Sequence, residues 1–314
     1  MTEKQYHYPF TAIVGQEMMK EAVILNLIDP SIGGVLIRGQ KGTAKTTAVR
    51  AIPDLVKGMR VVELPVNATE DRVAGTLNFE QAIRSGEKKF EPGILSEANG
   101  HILYADEVNL LDDRIVDILL DAAASGVNTV ERDGISYTHP SKFVLIGTMN
   151  PEEGNLRPQF LDRFGMVADV TAELDIQKRT EIIENRLSYE RQPQAFCRKY
   201  ARKQRELERA IISARALLPD VTVSKEMIKR TAEICVSYGT DGHRADIFMI
   251  KAASAEAAYH GRKQVTEHDL YRAALLVLPH RMRKSPLESG QMDRSQLEKL
   301  LANGEEATSS AEDG

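Results

Sequence analysis

The rhythm of apolar positions changes near residue 174. Before it, short apolar runs alternate with helix-spaced stretches; after it, the strand-like runs stop. Met18, Ala22, Leu25 and Leu27 fit a helix packed on the core, which Pro30 closes. Residues 35–38 read as a strand, 45–56 as a helix that Pro53 bends or ends, and 61–66 as a second strand. A short helix is predicted at 69–74, and 75–90 reads as irregular, with a turn at Gly86. Residues 101–107 are nearly apolar throughout until Asp106 and Glu107, the pattern of a strand buried on both faces of a parallel sheet. A helix at 110–124 follows, then a hairpin over 127–137 turning at Asp133-Gly134. Strands at 143–148 and 166–170 complete a parallel α/β core over about 10–172.

The remainder predicts helices. One spans 175–188. A second, long and exposed, lies within 191–217 and carries Arg198, Lys199, Arg202, Lys203, Arg205 and Arg209. That basic run reads as a solvated face, with a partner or nucleic-acid surface as the alternative. Ser224 caps a helix over Met227 to Cys235, 244–259 is alanine-rich, and Thr266 with Asp269 forms a capping box before 270–278. The polar stretch from Asn303 predicts a disordered tail. The expected organisation is 1–174 as the core with hairpin insertions, 175–302 as helical linker and lid, and 303–314 as tail.

Composition narrows the class. Among the 314 residues, 42% are hydrophobic and 5% aromatic, as in a helix-rich globular protein. No apolar run is long enough to cross a bilayer and no leader pattern opens the chain, so neither membrane insertion nor export is expected. Cys197 and Cys235 form no close ligand pair and suit a reducing, cytoplasmic setting. A net charge of -5 argues against nucleic acid as the main partner.

The chemistry begins at Gly39-Gln40-Lys41-Gly42-Thr43-Ala44-Lys45-Thr46-Thr47. A strand, a glycine-rich loop and a helix start ending in Lys-Thr form a phosphate cradle for a nucleoside triphosphate. Lys45 is expected on the β and γ phosphates and the Thr46 hydroxyl on Mg²⁺. Ala44 stands where this pattern has glycine, and binding tolerates it if its backbone angles stay open to an L-residue. Asp106 would contact the hydrated metal and Glu107 would polarise the attacking water of ATP hydrolysis. Asn150 is placed to hold the same water or the γ phosphate. Arg163, with Arg157 as second choice, is the candidate arginine from a neighbouring chain. Arg244 is a candidate to reach a nucleotide from the same or the adjacent chain.

These motifs resemble the AAA+ ATPases, and most closely the I-subunit family of magnesium chelatase. The resemblance runs from about Phe10 to Leu287. Its most specific stretches are Ile13-Val14-Gly15-Gln16-Glu17, Tyr104-Ala105-Asp106-Glu107-Val108-Asn109-Leu110-Leu111, Val130-Glu131-Arg132-Asp133-Gly134 and 150–165. It implies a P-loop NTPase core with a separate C-terminal helical lid. Asn150 then resembles sensor 1, Arg163 the arginine finger and Arg244 sensor 2. The Asp133-Gly134 hairpin and part of 75–90 resemble insertions that line or cap a ring. The family forms rings, typically hexameric, with an integrin-like D subunit and a large porphyrin-binding H subunit, and drives Mg²⁺ into protoporphyrin IX. The chain resembles the I component alone, without a fused integrin-like domain. Related branches serve cobalt insertion into corrinoids or remodel proteins with other integrin-like partners. These, and a nucleic-acid motor, are the competing readings.

Overall fold

The computed structural model describes residues 6–78, 89–132, 135–282 and 292–309. The chain enters through α1 (Glu17–Ile28), which runs into β1 (Val35–Gly39), the phosphate-loop candidate and α2 (Lys45–Arg50). α2 is shorter than the pattern suggests, because Pro53 converts its continuation into a 3-10 turn at Ile52–Asp54. β2 (Val61–Leu64) leads to α3 (Glu70–Ala74), whose first turn is capped by the Thr69 hydroxyl.

The region expected to be irregular instead contributes β3 (Gly75–Asn78) and β4 (Lys89–Pro92), paired antiparallel. Cross-strand hydrogen bonding there outweighs a weak strand pattern; the turn expected at Gly86 lies outside the described residues. α4 (Ile94–Glu97), β5 (Ile102–Ala105) and α5 (Asp113–Ser125) follow. α5 starts later than its apolar pattern because Asp112 caps it. The expected hairpin is β6 (Val127–Arg132) with β7 (Ile135–Pro140); its Asp133-Gly134 turn lies outside the described residues. β8 (Val144–Met149), α6 (Pro158–Leu161) and β9 (Met166–Val170) end the α/β part.

β1, β2, β5, β8 and β9 form one parallel sheet in the order β2-β5-β8-β1-β9. β1 lies inside the sheet between β8 and β9, and its C-terminal end opens onto the phosphate-loop candidate. Alternation along the strands builds two cores. Ile37, Tyr104 and Ile146 point to the α1 side, whereas Leu36, Leu103 and Leu145 point to the α5 side.

The helical part comprises α7 (Ile176–Arg191), α8 (Pro193–Leu217), α9 (Lys225–Ser237), α10 (Arg244–Tyr259), α11 (Glu267–Val277) and α12 (Arg294–Ser309). The Ser224 cap and the Thr266–Asp269 capping box both form. Ala252, Ala253, Ala255, Ala257 and Ala258 of α10 are all buried, so small side chains let this helix sit tightly in the lid. The apolar cluster of the α1 face continues into α10 and α11 without a break. α12 extends past Asn303, the expected start of a disordered tail; Ala302, Glu305, Glu306 and Ala307 are strong helix formers. Residues 310–314 lie outside the described residues. No helix among the described residues is long and apolar enough to cross a membrane.

Candidate active site

β1 delivers the loop and α2 takes it away. Gly39 closes the strand where a side chain would collide with the Val170 carbonyl of β9, so the close strand approach itself requires glycine. Ala44 adopts φ 64 and ψ 13, the small left-handed region. An alanine there costs about 1–2 kcal/mol relative to a right-handed position. Ala44→Gly is expected to raise stability by about 1 kcal/mol without loss of ATP affinity, read by thermal melting and nucleotide titration. The Thr43 hydroxyl donates to the Gln40 carbonyl at 2.7 Å and fixes the loop's curvature. Lys45 folds back over the loop and donates to the Gly39 and Gln40 carbonyls. Its desolvation pushes the ammonium pKa down. A phosphate arriving in the cradle would supply the negative charge that these carbonyls only partly replace.

The acid pair lies across the cleft at the end of β5. The Tyr104 hydroxyl donates to Asp106 Oδ1 at 2.7 Å and lies 3.2 Å from the Thr46 hydroxyl. The Thr148 hydroxyl also donates to Asp106, and accepts the Glu107 backbone N–H at 3.2 Å. Burial pushes the Tyr104 phenol pKa up, so it stays a donor. Glu107 takes φ 51, a left-handed turn that ends the strand and throws its carboxylate into the cleft. Thr148 is fully buried. Thr148→Val removes the donor to Asp106 and strands the Glu107 N–H, at about 1–3 kcal/mol. A roughly tenfold lower turnover with ATP affinity retained is expected, read from steady-state kinetics beside a binding titration.

The segment after β8 holds the loop from the other side. Asn150 is buried and accepts the Glu152 N–H at 3.2 Å. Gln40 donates to Glu152 at 3.0 Å, and Lys41 lies 2.5 Å from Glu153 and 3.9 Å from Glu107. The Lys41 ammonium holds the Glu153 carboxyl below its usual range. Glu153 Oε2 is buried without a partner. Glu152 and Glu153 thus tie the loop to Asn150, a link absent from the motif reading although both stand inside the 150–165 stretch.

Together these groups line a cleft of about 770 Å³ that holds Gln40 to Thr47, Asp106, Glu107 and Asn150. Its far end is apolar and basic: Tyr8, Ile13 and Val14 come from the lead-in, and Arg179, Ile182 and Arg186 from α7. Sequence reasoning missed this end. Only helical spacing hinted at it, since Arg179, Ile182 and Arg186 recur at three and four residues.

The candidate arginines Arg157, Arg163 and Arg244 do not line the cleft of their own chain. Arg163 is clamped by Asp117 and Asp121 on α5, and Arg157 pairs with Asp113 on the same face. Arg244 donates to Asp162 at 2.9 Å, next to Arg163 in sequence. Arg281, not anticipated, is buried and donates to the carbonyls of Asp162, Phe164 and Gly165. Burial lowers its pKa to about 10. It packs 5.0 Å over the Phe248 ring and fixes the Arg163-bearing loop onto the lid.

The residues present fit Mg²⁺ and a triphosphate. Thr46 and Asp106 converge through the Tyr104 hydroxyl as hard oxygen donors suited to Mg²⁺. The open face of Gly42, where an added side chain would meet nothing within 4 Å, leaves room for phosphate oxygens.

Comparisons with known proteins bear on the family and the fold. Residues 34–164 match the AAA domain (dynein-related subfamily), and residues 228–300 match the AAA lid domain. The chain is 49% identical to the magnesium-chelatase subunit ChlI homolog of Methanocaldococcus jannaschii, over 95% of this chain and 91% of that protein. It is 46% identical to the magnesium-chelatase subunit ChlI of Synechocystis, over 90% of each. A solved complex between subunits BchI and BchD of magnesium chelatase contains a chain 41% identical to this one. It covers 95% of this chain and all of that one, with a TM-score of 0.53. A putative ATPase from Cytophaga hutchinsonii shares the fold at a TM-score of 0.66 and 21% identity, over 93% and 91% of the two chains.

Proposed function

The chain belongs to the magnesium-chelatase I-subunit family of AAA+ ATPases, and from that premise we propose that it is the ring-forming ATP-hydrolysing motor of a metal chelatase. Working in the cytoplasm with D-type and H-type subunits, it drives Mg²⁺ insertion into protoporphyrin IX. The observation that carries the motor half is the split site. The loop, Asp106, Glu107 and Asn150 share one cleft, while Arg163 and Arg244 stand outside it.

Within one subunit, the loop amides and Lys45 bind the triphosphate, and the far end of the cleft takes the base. Thr46 and Asp106 would hold Mg²⁺, which would supply charge neutralisation to the phosphates. Tyr104 and Thr148 fix the Asp106 carboxylate by hydrogen bonds. Glu107 orients and polarises the attacking water, and Asn150 steadies that water or the γ phosphate. Arg163 and Arg244 reach the nucleotide of the adjacent copy. Binding and assembly are then coupled, because neither subunit alone holds a complete site.

The test is metal insertion by the purified chain with D-type and H-type partners, with Mg²⁺ and Co²⁺ compared. ATP-dependent formation of Mg-protoporphyrin IX is expected, lost without turnover. ATP turnover with no insertion under any partner combination would defeat the chelatase assignment and leave a protein-remodelling motor.

A further inference from the structure

The phosphate loop carries two lysines. Lys45 opens α2, whereas Lys41 stands on the strand side of the loop, just before Gly42. Lys41 lines the cleft, and its side chain is 70% exposed. Its ammonium nevertheless meets two carboxylates, Glu153 at 2.5 Å and Glu107 at 3.9 Å. Glu153 does not itself line the cleft. It is held by the 3-10 turn Pro151–Glu153, which Asn150 caps by accepting the Glu152 N–H. The Glu153 N–H donates to the Asn150 carbonyl at 3.1 Å, and Gln40 grips the same turn through Glu152. A cation on a flexible four-carbon stem thus faces a carboxylate fixed by its backbone.

We propose that the Lys41 side chain is the group that distinguishes ATP from ADP: the γ phosphate takes its ammonium from Glu153, and ADP leaves the pair closed. The inference rests on the nucleotide reading of the cleft. Two observations support it. Glu107, on that reading, polarises the water that attacks the γ phosphate, so its carboxylate lies beside that phosphate. An ammonium 3.9 Å from Glu107 stands at the same end, which ADP leaves empty. The second observation is that the Lys41–Glu153 pair is easily exchanged. Lys41 meets only one oxygen of Glu153, and the other, Oε2, is buried without a partner. Water screens such an exposed pair, whereas a phosphate offers several charged oxygens to the same ammonium. Glu153 therefore parks Lys41 at the cleft's edge and competes with the γ phosphate for it.

The test is a double-mutant cycle in the full chain, read by titration with Mg²⁺ and either ADP or the β,γ-imido analogue of ATP, which is not hydrolysed. Lys41→Gln should weaken the analogue about tenfold, the worth of one charge-assisted contact. Glu153→Gln should tighten the analogue roughly threefold or more, because the competitor for the ammonium is weakened. The double variant should match Lys41→Gln alone, since Glu153 acts on the nucleotide only through Lys41. ADP affinity should stay within about twofold in all three variants, which also shows that the loop keeps its shape. An equal loss of ADP and analogue in Lys41→Gln would overturn the inference. So would a gain from Glu153→Gln that persists without Lys41, which would make Glu153 a general repulsive charge. Failure of the unaltered chain to bind either nucleotide would instead sink the nucleotide reading of the cleft.

Discussion

Arg163→Ala is expected to lower ATP turnover by roughly 10³-fold or more while leaving ATP affinity within about twofold. An arginine delivered to the γ phosphate acts only on charge that develops as the bond breaks, so its loss falls on turnover and not on ground-state binding. The setting of the side chain suits the proposed delivery. It leaves a loop that Arg281 pins to the lid, and its guanidinium rests on Asp117 and Asp121. Such part-exposed pairs are worth about 0–1 kcal/mol each, so a neighbour's triphosphate can take the arginine from them. The substitution leaves Asp117 and Asp121 facing each other one turn apart on α5, a repulsion of a few tenths of a kcal/mol. Melting should therefore barely move. Arg163→Lys should remain strongly impaired, because an ammonium cannot reproduce a bidentate fork. Normal turnover by the assembled alanine variant would contradict the role.

Lys45→Ala has the second large effect and the opposite signature. Two charge-assisted hydrogen bonds to phosphate oxygens are worth about 3–6 kcal/mol together, roughly 10²–10⁴-fold in affinity. Binding of labelled ATP should fall by that amount, and turnover should vanish with it. The loop should keep its shape, since Gly39 is fixed by β9 and Thr43 by the Gln40 carbonyl. ATP titration beside a melting curve separates lost contact from lost fold. Unchanged ATP affinity would remove the loop from the site.

Much of this was legible in the sequence, for identifiable reasons. The five sheet strands announce themselves because β5 and β8 are buried along their whole length and so read as continuous apolar runs. Asp106 and Glu107 stand out because acids rarely end such a run. The β3–β4 pair is hidden because its stabilisation comes from cross-strand partners separated in sequence, such as Leu77 with Phe90. Tyr104 reads as one more core residue, and only the fold brings its hydroxyl between Thr46 and Asp106. Tyr8 and Arg186 line one cleft from opposite ends of the α/β part, a meeting that no local pattern encodes. Arg163 illustrates both sides: its motif identifies the residue, and its distance from the chain's own cleft follows only from the packing of α5 against the loop before β9.

A subunit-mixing assay tests the composite site most directly. A Lys45→Ala chain offers Arg163 but binds no nucleotide; an Arg163→Ala chain binds nucleotide but offers no arginine. Each alone should be inactive. Mixed in equal amounts and allowed to assemble at random, they should recover about one quarter of the unaltered turnover, the share of interfaces that join an intact cleft to an intact arginine. A mixture that assembles but stays as inactive as its components would contradict a site shared between neighbouring copies.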